Sequence, residues 1–371
     1  MTNTSLTLGE VADRLGLECR GDRVRPLTGL ATLATATANQ LSFFANAKYR
    51  KFLHETQAGA VIVAPALADE CPVDTLVAAD PYRAYAQASQ LFDATPRLPV
   101  GIHSTAIVAG SARVDATAAI GAYCVIGERV SIGAGVSIGA GTVISDDCII
   151  GADSTLLANV TLHHRVSLGS GCAIHSGAVI GGNGFGFAPI SAGAQKGEWE
   201  KIAQLGTVRI GRNVRIGANT TVDRGAIEDT IIADHVIIDN LVHIAHNVQI
   251  GEGTAIAGCV GIAGSTIIGA HVAFGGQCGV AGHITIADGA QFMGQARVNG
   301  SVEKAGVYAS GTGLADVREW RRNAVRFTQL DELYRRVLEL EKKLGLEKKS
   351  ELDKKVEVEK PLQKISGGEA E

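Results

Sequence analysis

An apolar residue recurs at every sixth position through most of this chain. From Ile102 the step passes Val108, Val114, Ile120, Ile126, Ile132, Ile138, Ile144, Ile150, Leu156, Leu162, Leu168, Ile174 and Ile180. The phase returns at Ile210, Ile216 and Val222, then slips by four residues. It resumes at Ile232 and continues through Ile238, Ile244, Ile250, Ile256, Ile262, Ile268, Phe274, Val280, Ile286, Phe292 and Val298. The residue two places earlier is small or β-branched, as at Cys124, Val130, Thr142, Cys148, Cys172 and Ala178. Glycine often follows the apolar step, as at Gly121, Gly127, Gly211 and Gly217. A period of six suits neither a helix of 3.6 residues per turn nor plain strand alternation. It suits short strands joined by tight corners, stacked into a parallel β-helix because no single coil can bury itself. With three hexads per coil this predicts about ten coils, and roughly 45 Å of prism at ~4.8 Å between stacked strands.

Two interruptions break the count. Residues 182–204, which contain Gly-Asn-Gly-Phe-Gly-Phe187 and Gly-Glu-Trp199, leave the helix and return in phase. A tolerated surface insertion and a binding loop both fit, and aromatics in an aromatic-poor chain lean toward the second. The slip around Gly225 to Thr230 reads as a smaller bulge. Outside the repeat, residues 1–100 predict a small α/β domain. Leu8–Leu15 reads as an amphipathic helix, Ala60–Ala64 as a buried strand and Pro81–Phe92 as a second helix, with Pro96 and Pro99 in a linker. The prism is expected over 101–308 and a helical extension over 309–371. In that extension Trp320, Phe327 and Tyr334 share one heptad position and Leu330, Val337 and Leu344 another, a seam that needs partner helices. From Glu347 onward, alternating Lys and Glu predict fraying and disorder.

Composition narrows the class. The 371 residues include 46 glycines and are 46% hydrophobic but only 5% aromatic, which suits thin, repetitive packing. A net charge of −4 excludes the usual nucleic-acid binder. No run approaches the ~18 apolar residues of a membrane span, so no stable membrane insertion is expected. The first residues show neither a basic nor an apolar signal region. Seven scattered cysteines without CxxC pairs make neither a disulfide framework nor a zinc site. A cytoplasmic location is expected.

Most of the ten histidines, including His163, His164, His175, His235 and His271, read as ordinary surface residues. One cluster differs: Ile-Asp-Asn-Leu-Val-His-Ile-Ala-His-Asn over 238–247. Asp239 precedes His246 by seven residues, which predicts a carboxylate near the imidazole, the usual arrangement of a general base. Eighteen residues per coil place Gly264 directly over His246, with an unobstructed N–H for an oxyanion. His283 falls two coils on and one residue off. From the residues alone, a site and an incidental grouping stand side by side. His235 and His271 are two coils apart, but γ-class carbonic anhydrases would put a third zinc ligand at position 276, which is Gly here, so no metal is expected.

The hexad pattern resembles the left-handed β-helix of hexapeptide-repeat acyltransferases, and the handedness comes from that resemblance alone. Leu41-Ser-Phe-Phe-Ala-Asn-Ala-Lys-Tyr49, Gly-Asn-Gly-Phe-Gly-Phe187, Thr-Val-Asp-Arg-Gly-Ala226, Ile-Asp-Asn240, Ile-Ala-His-Asn247, Ala-Gly-His283 and Gly-Val-Tyr-Ala-Ser-Gly311 make the match narrower. Over about residues 5–340 the chain resembles the UDP-3-O-(3-hydroxyacyl)glucosamine N-acyltransferase family of lipid A biosynthesis. The resemblance implies His246 as catalytic base, His283 as a second active-site histidine and Gly264 as oxyanion donor. It implies a uridine site with Phe43 and Tyr49 about the uracil and Asn46 and Lys48 beside them, and a substrate role for Asn240. Read alone, Phe43 and Phe44 would be strand core. It further implies a homotrimer and, as partners, UDP-3-O-acyl-glucosamine and acyl carrier protein. No cofactor is implied beyond the acyl-4′-phosphopantetheine arm, a co-substrate. Arg318, Arg321, Arg322 and Arg326 would dock the acidic carrier, or form a solvated helix face. Arg297 places a charge where some relatives are apolar near the acyl chain, which leaves chain length open. The rival readings are a UDP-GlcNAc O-acyltransferase-like enzyme, which the extra N-terminal domain disfavours, a carbonic-anhydrase-like metalloenzyme, and a non-catalytic scaffold.

Overall fold

The computed structural model describes residues 5–193, 195–311 and 313–344. The chain divides into two compact units, Met1–Gly101 and Ile102–Glu371. In the first, Thr7 and Glu10 form a reciprocal capping box at the start of helix Leu8–Leu15, and Gly16 closes it in the left-handed conformation. A five-stranded sheet runs in the order Glu18–Arg20, Asp74–Val77, Ala60–Val63, Gln40–Phe43, Gly29–Leu30. All its pairings are parallel except the first. Helix Pro81–Leu91 begins at Asp80, whose carboxylate accepts from the N–H groups of Tyr82 and Arg83. Leu8, Val11, Leu41, Ile62, Leu76 and Ala88 form the core beneath both helices.

The second unit is a parallel β-helix with three faces of 9, 11 and 10 strands. Strands of two residues stack in register on those one coil earlier, as Val143 does on Val125 and Thr155 on Ser137. The second residue of each pair points inward, and this column of Ile, Val and Leu is the core from Ile120 to Val298. The small position has its own task. Corner carbonyls face the interior where water cannot reach them, and each must find a donor. The side chains of Cys124, Cys148, Cys172 and Cys278 donate to corner carbonyls one coil further on, those of Gly139, His163, Gly211 and Met293. Thr142, Ser154 and Thr254 do the same. The buried cysteines are therefore packing residues, and burial pushes the Cys148 thiol up to about 11.

The insertion departs after the strand Val179–Gly182, forms a small hairpin of Phe187–Pro189 with Trp199–Lys201, and rejoins at Val208–Ile210. Beyond the prism the helical extension is two helices, Val317–Phe327 and Leu330–Lys343, broken at Thr328–Gln329, and no residue of either is buried. The Lys/Glu segment from Glu347 lies outside the described residues. Among the described residues no helix is long and apolar enough to cross a membrane.

Candidate active site

The insertion and the slip meet at one edge of the prism and help define an open cleft of about 780 Å³. Its lining includes Phe185 from the insertion, Asp223 from just before the slip, His243, His246, Gly264 and Arg297. The floor belongs to the ten-strand face. There the outward position of successive coils reads Thr221, His243, Gly261, Gly279, Arg297. Two glycines in succession open a trough about two coils long, near 10 Å, between an imidazole and a guanidinium.

His246 sits at the corner after strand His243–Ile244 and is half-buried. Its Nδ1 lies 3.0 Å from Oδ1 of Asn247. That amide is held by two backbone groups of the slip, since Oδ1 accepts from Ala226 N–H and Nδ2 donates to the Glu228 carbonyl. Because Oδ1 is an acceptor, the shared proton must sit on His246 Nδ1. The lone pair is then on Nε2, the tautomer a general base needs. Gly264 stands over this nitrogen: a Cβ built there would fall 2.7 Å from both Nε2 and Cε1. Among the described residues the Gly264 N–H donates to no acceptor, and its carbonyl takes the His283 N–H. An amide with no partner beside a basic nitrogen is a donor for an anion that forms there.

The facing carboxylate is Asp223, not Asp239. Asp223 Oδ2 lies 3.7 Å from His243 Nε2, and His243 Nδ1 bonds the Thr221 hydroxyl at 2.8 Å. Burial raises the Asp223 pKa, while the nearby His243 and, more weakly, His246 pull it back. The expectation that Asp239 orients His246 is corrected. Each six-residue hexad moves the chain on by one face, so seven residues carry Asp239 to the preceding edge. There Asp239 accepts from the Asn240 N–H and lies near Gly258. Asn240 shares that edge, and its Oδ1 accepts from Ala218 N–H at 2.6 Å, outside the His246 cleft. His283 occupies the correct edge but is exposed in the left-handed corner position, one residue past Gly282, which stacks on Gly264. His235 and His271 share a third edge.

A second cleft, about 830 Å³, lies within the N-terminal unit and is lined by Phe43, Asn46, Tyr49, Phe52, Tyr82 and neighbours. Phe43 stacks on Tyr85 with ring centroids 4.0 Å apart, while Tyr49 projects half-exposed from the turn capped by Asn46. Phe44, in contrast, is core. Lys48 does not line the cleft, although its N–H donates to Asn46 Oδ1. Arg318, Arg321, Arg322 and Arg326 fall on one exposed side of helix Val317–Phe327. The sequence reading missed Asp223, His243, Asn247 and Tyr82. Asp223, His243 and Asn247 lay inside motifs already singled out, and Tyr82 only inside the helix expected over Pro81–Phe92.

A prism of hexads with an imidazole, an unpartnered amide and a glycine trough at one edge is the architecture of a hexapeptide-repeat acyltransferase. Comparison with known proteins agrees. The profile of bacterial transferase hexapeptide repeats matches residues 147–182 and 229–264, and that of UDP-3-O-(3-hydroxymyristoyl) glucosamine N-acyltransferase matches residues 25–91. The UDP-3-O-acylglucosamine N-acyltransferase of Ectopseudomonas mendocina is 55% identical over 343 residues, 92% of this chain and 96% of that protein. The protein of the same name from Pseudomonas aeruginosa strain LESB58 is 52% identical over 93% of this chain and 96% of its own. An Arabidopsis UDP-N-acetylglucosamine acyltransferase superposes with a TM-score of 0.50 at 21% identity, covering 62% of this chain and 80% of that one, a likeness of fold alone. The chain belongs to the UDP-3-O-acylglucosamine N-acyltransferase family.

Proposed function

We propose that this protein transfers a 3-hydroxyacyl group from acyl carrier protein to the 2-amine of UDP-3-O-(3-hydroxyacyl)-glucosamine, a step of lipid A biosynthesis, with His246 as general base. The observation that carries the reading is the proximity of His246 Nε2 to the unpartnered Gly264 amide. The glucosamine amine attacks the thioester carbonyl, and Nε2 takes the proton that the nitrogen loses. Gly264 N–H stabilises the resulting oxyanion. Collapse breaks the C–S bond, and the departing thiolate takes the proton back from the imidazolium, leaving an amide and a free pantetheine thiol. Asp223 favours the imidazolium that exists between these steps. The trough over Gly261 and Gly279 takes the extended thioester arm or its acyl chain.

In the N-terminal unit, Phe43 and Tyr49 stack on uracil, with Asn46 and Lys48 at its rim. The arginine side of helix Val317–Phe327 docks the acidic carrier protein. The enzyme works in the cytoplasm as a homotrimer, and a neighbouring copy's edge supplies the Asn240 role at each cleft, facing the edge that carries His246 and His283. The heptad positions of the tail support that assembly.

Mass spectrometry of a reaction containing UDP-3-O-acyl-glucosamine and 3-hydroxyacyl carrier protein tests the proposal. The N-acylated product is expected, and His246→Ala should lower its rate by about 1,000-fold without unfolding the chain. Product at the native rate from His246→Ala would remove the base assignment, and no product from the native enzyme across chain lengths would remove the function.

A further inference from the structure

The two places where the hexad count fails both end on His246. The insertion begins as an extended run in which exposure alternates: Gly182, Gly184 and Gly186 face inward, and Asn183, Phe185 and Phe187 face out. The inward glycines pass over catalytic groups. A Cβ at Gly184 would fall 3.0 Å from the His246 Cβ and 3.1 Å from its Cδ2, and 2.9 Å from Oε1 of Gln204. A Cβ at Gly186 would fall 2.5 Å from Nε2 of Gln204. The Gln204 carboxamide therefore lies flat beneath both glycines, at the point where the insertion returns.

Gln204 is unusual in its own right. It is 8% exposed, and its side-chain oxygen is buried without a hydrogen-bond partner. Leaving such an oxygen unpaired is destabilising, and a leucine would fill the same space without that cost. The next two residues join the insertion to the slip. Leu205 N–H donates to the Ala226 carbonyl and Gly206 N–H to that of Gly225. The slip in turn grips Asn247, which holds His246 Nδ1. At the departing end, Arg224 is fully buried and donates to the carbonyls of Gly181 and His164. Both ends of the insertion are thus anchored, and its Gly184 lies against the Cβ and Cδ2 of His246 while Gly264 lies against Cε1 and Nε2.

We propose that Gln204 is a positioning residue: through Gly184 it sets the orientation of the His246 ring, so that insertion and slip act as one device. The proposal rests on His246 being the base of the acyl transfer. It does not follow from membership of the family, and it assigns a task to a residue that touches neither substrate nor reacting atoms.

The test compares Gly184→Ala, Gln204→Leu and, as an exposed change in the same hairpin, Lys201→Ala. Gly184→Ala is expected to lower kcat about 100-fold. Gln204→Leu is expected to lower it about tenfold. Neither should change KM for the UDP-sugar more than about threefold, because no substrate contact is removed. Lys201→Ala should behave as native. The second readout is the titration of His246 by NMR of histidine-labelled trimer, with its signal assigned by loss in His246→Gln. Both positioning variants should shift that titration and broaden the ring signals. A native kcat in both, or an unmoved His246 signal, overturns the proposal. If the native enzyme makes no product, the acyl-transfer reading falls, and the NMR titration still decides whether Gln204 and Gly184 hold the ring.

Discussion

The lower coils of the prism and the coils around His246 share one backbone and one core, yet the candidate site lies in the second. On the ten-strand face the lower coils present Val125, Val143, Thr161 and Val179 outward. In the upper coils the equivalent positions are His243, Gly261, Gly279 and Arg297. Inward positions do not differ in kind, since Ile144 and Ile262 are equally buried. Repetition provides a stiff frame whose outward positions are free to vary, and chemistry collects where the repeat is broken. The lower coils lack such breaks, and their edges hold short-range hydrogen bonds such as Thr117 to Asp115 and the exposed, energetically minor ion pair of Arg129 with Asp147.

That contrast can be broken by making the upper coils resemble the lower ones. The largest effect should come from Asn247→Leu, which frees the His246 tautomer: kcat is expected to fall about 100-fold, with the fold retained by circular dichroism. Asp223→Asn should lower kcat about tenfold, measured at saturating substrates across pH, because the imidazolium loses its facing charge. The same variant should be at least as stable as native at pH 7. Burial raises the folded pKa of Asp223 above 3.8, so its contribution to stability is present at low pH and lost as pH rises through the folded value. Gly261→Val copies the lower coils directly. Nothing lies within 4 Å of a Cβ there, so the midpoint of thermal unfolding should not move. The valine narrows the trough, and KM for the acyl donor is expected to rise about tenfold with kcat for bound substrates little changed.

The smallest effect concerns stability. Burial, and secondarily the charge of Arg224, lowers the His163 pKa below 6.5. As pH falls the unfolded chain takes up this proton first, so the contribution is present above pH 6.5 and lost as pH drops through the lowered value. Urea midpoints for His163→Gln should accordingly depend less on pH between 7.5 and 5.5 than those of the native protein. A steeper dependence in the variant would contradict this burial account.

The hexad made the prism legible from residues alone because its contacts repeat at a constant interval. A six-residue apolar step implies stacking at eighteen, and the buried column from Ile120 to Val298 is that prediction realised. The same arithmetic placed Gly264 over His246, since no interruption lies between them. It failed for the carboxylate. Asp223 reaches the cleft across a 22-residue coil, a spacing set by the slip, as the pairing of Thr221 with His243 records. Asp239, though close in sequence, is turned to another edge.

The aromatic cleft shows the same division. Its strand was readable from Phe43 and Phe44 and its helix from the Pro81–Phe92 run, but Tyr82 joins Phe43 only through the packing of a helix on a sheet. Local pattern therefore decided which segments become coils, helices and core, because periodic burial is encoded within a few residues. Which proton sits on His246, which acid faces it and what presses on its ring were decided by the folded chain. His246 and Asn247 are neighbours in sequence, but the contacts that hold that pair and its surroundings join residues about 20 to 60 apart through loops whose paths no period describes.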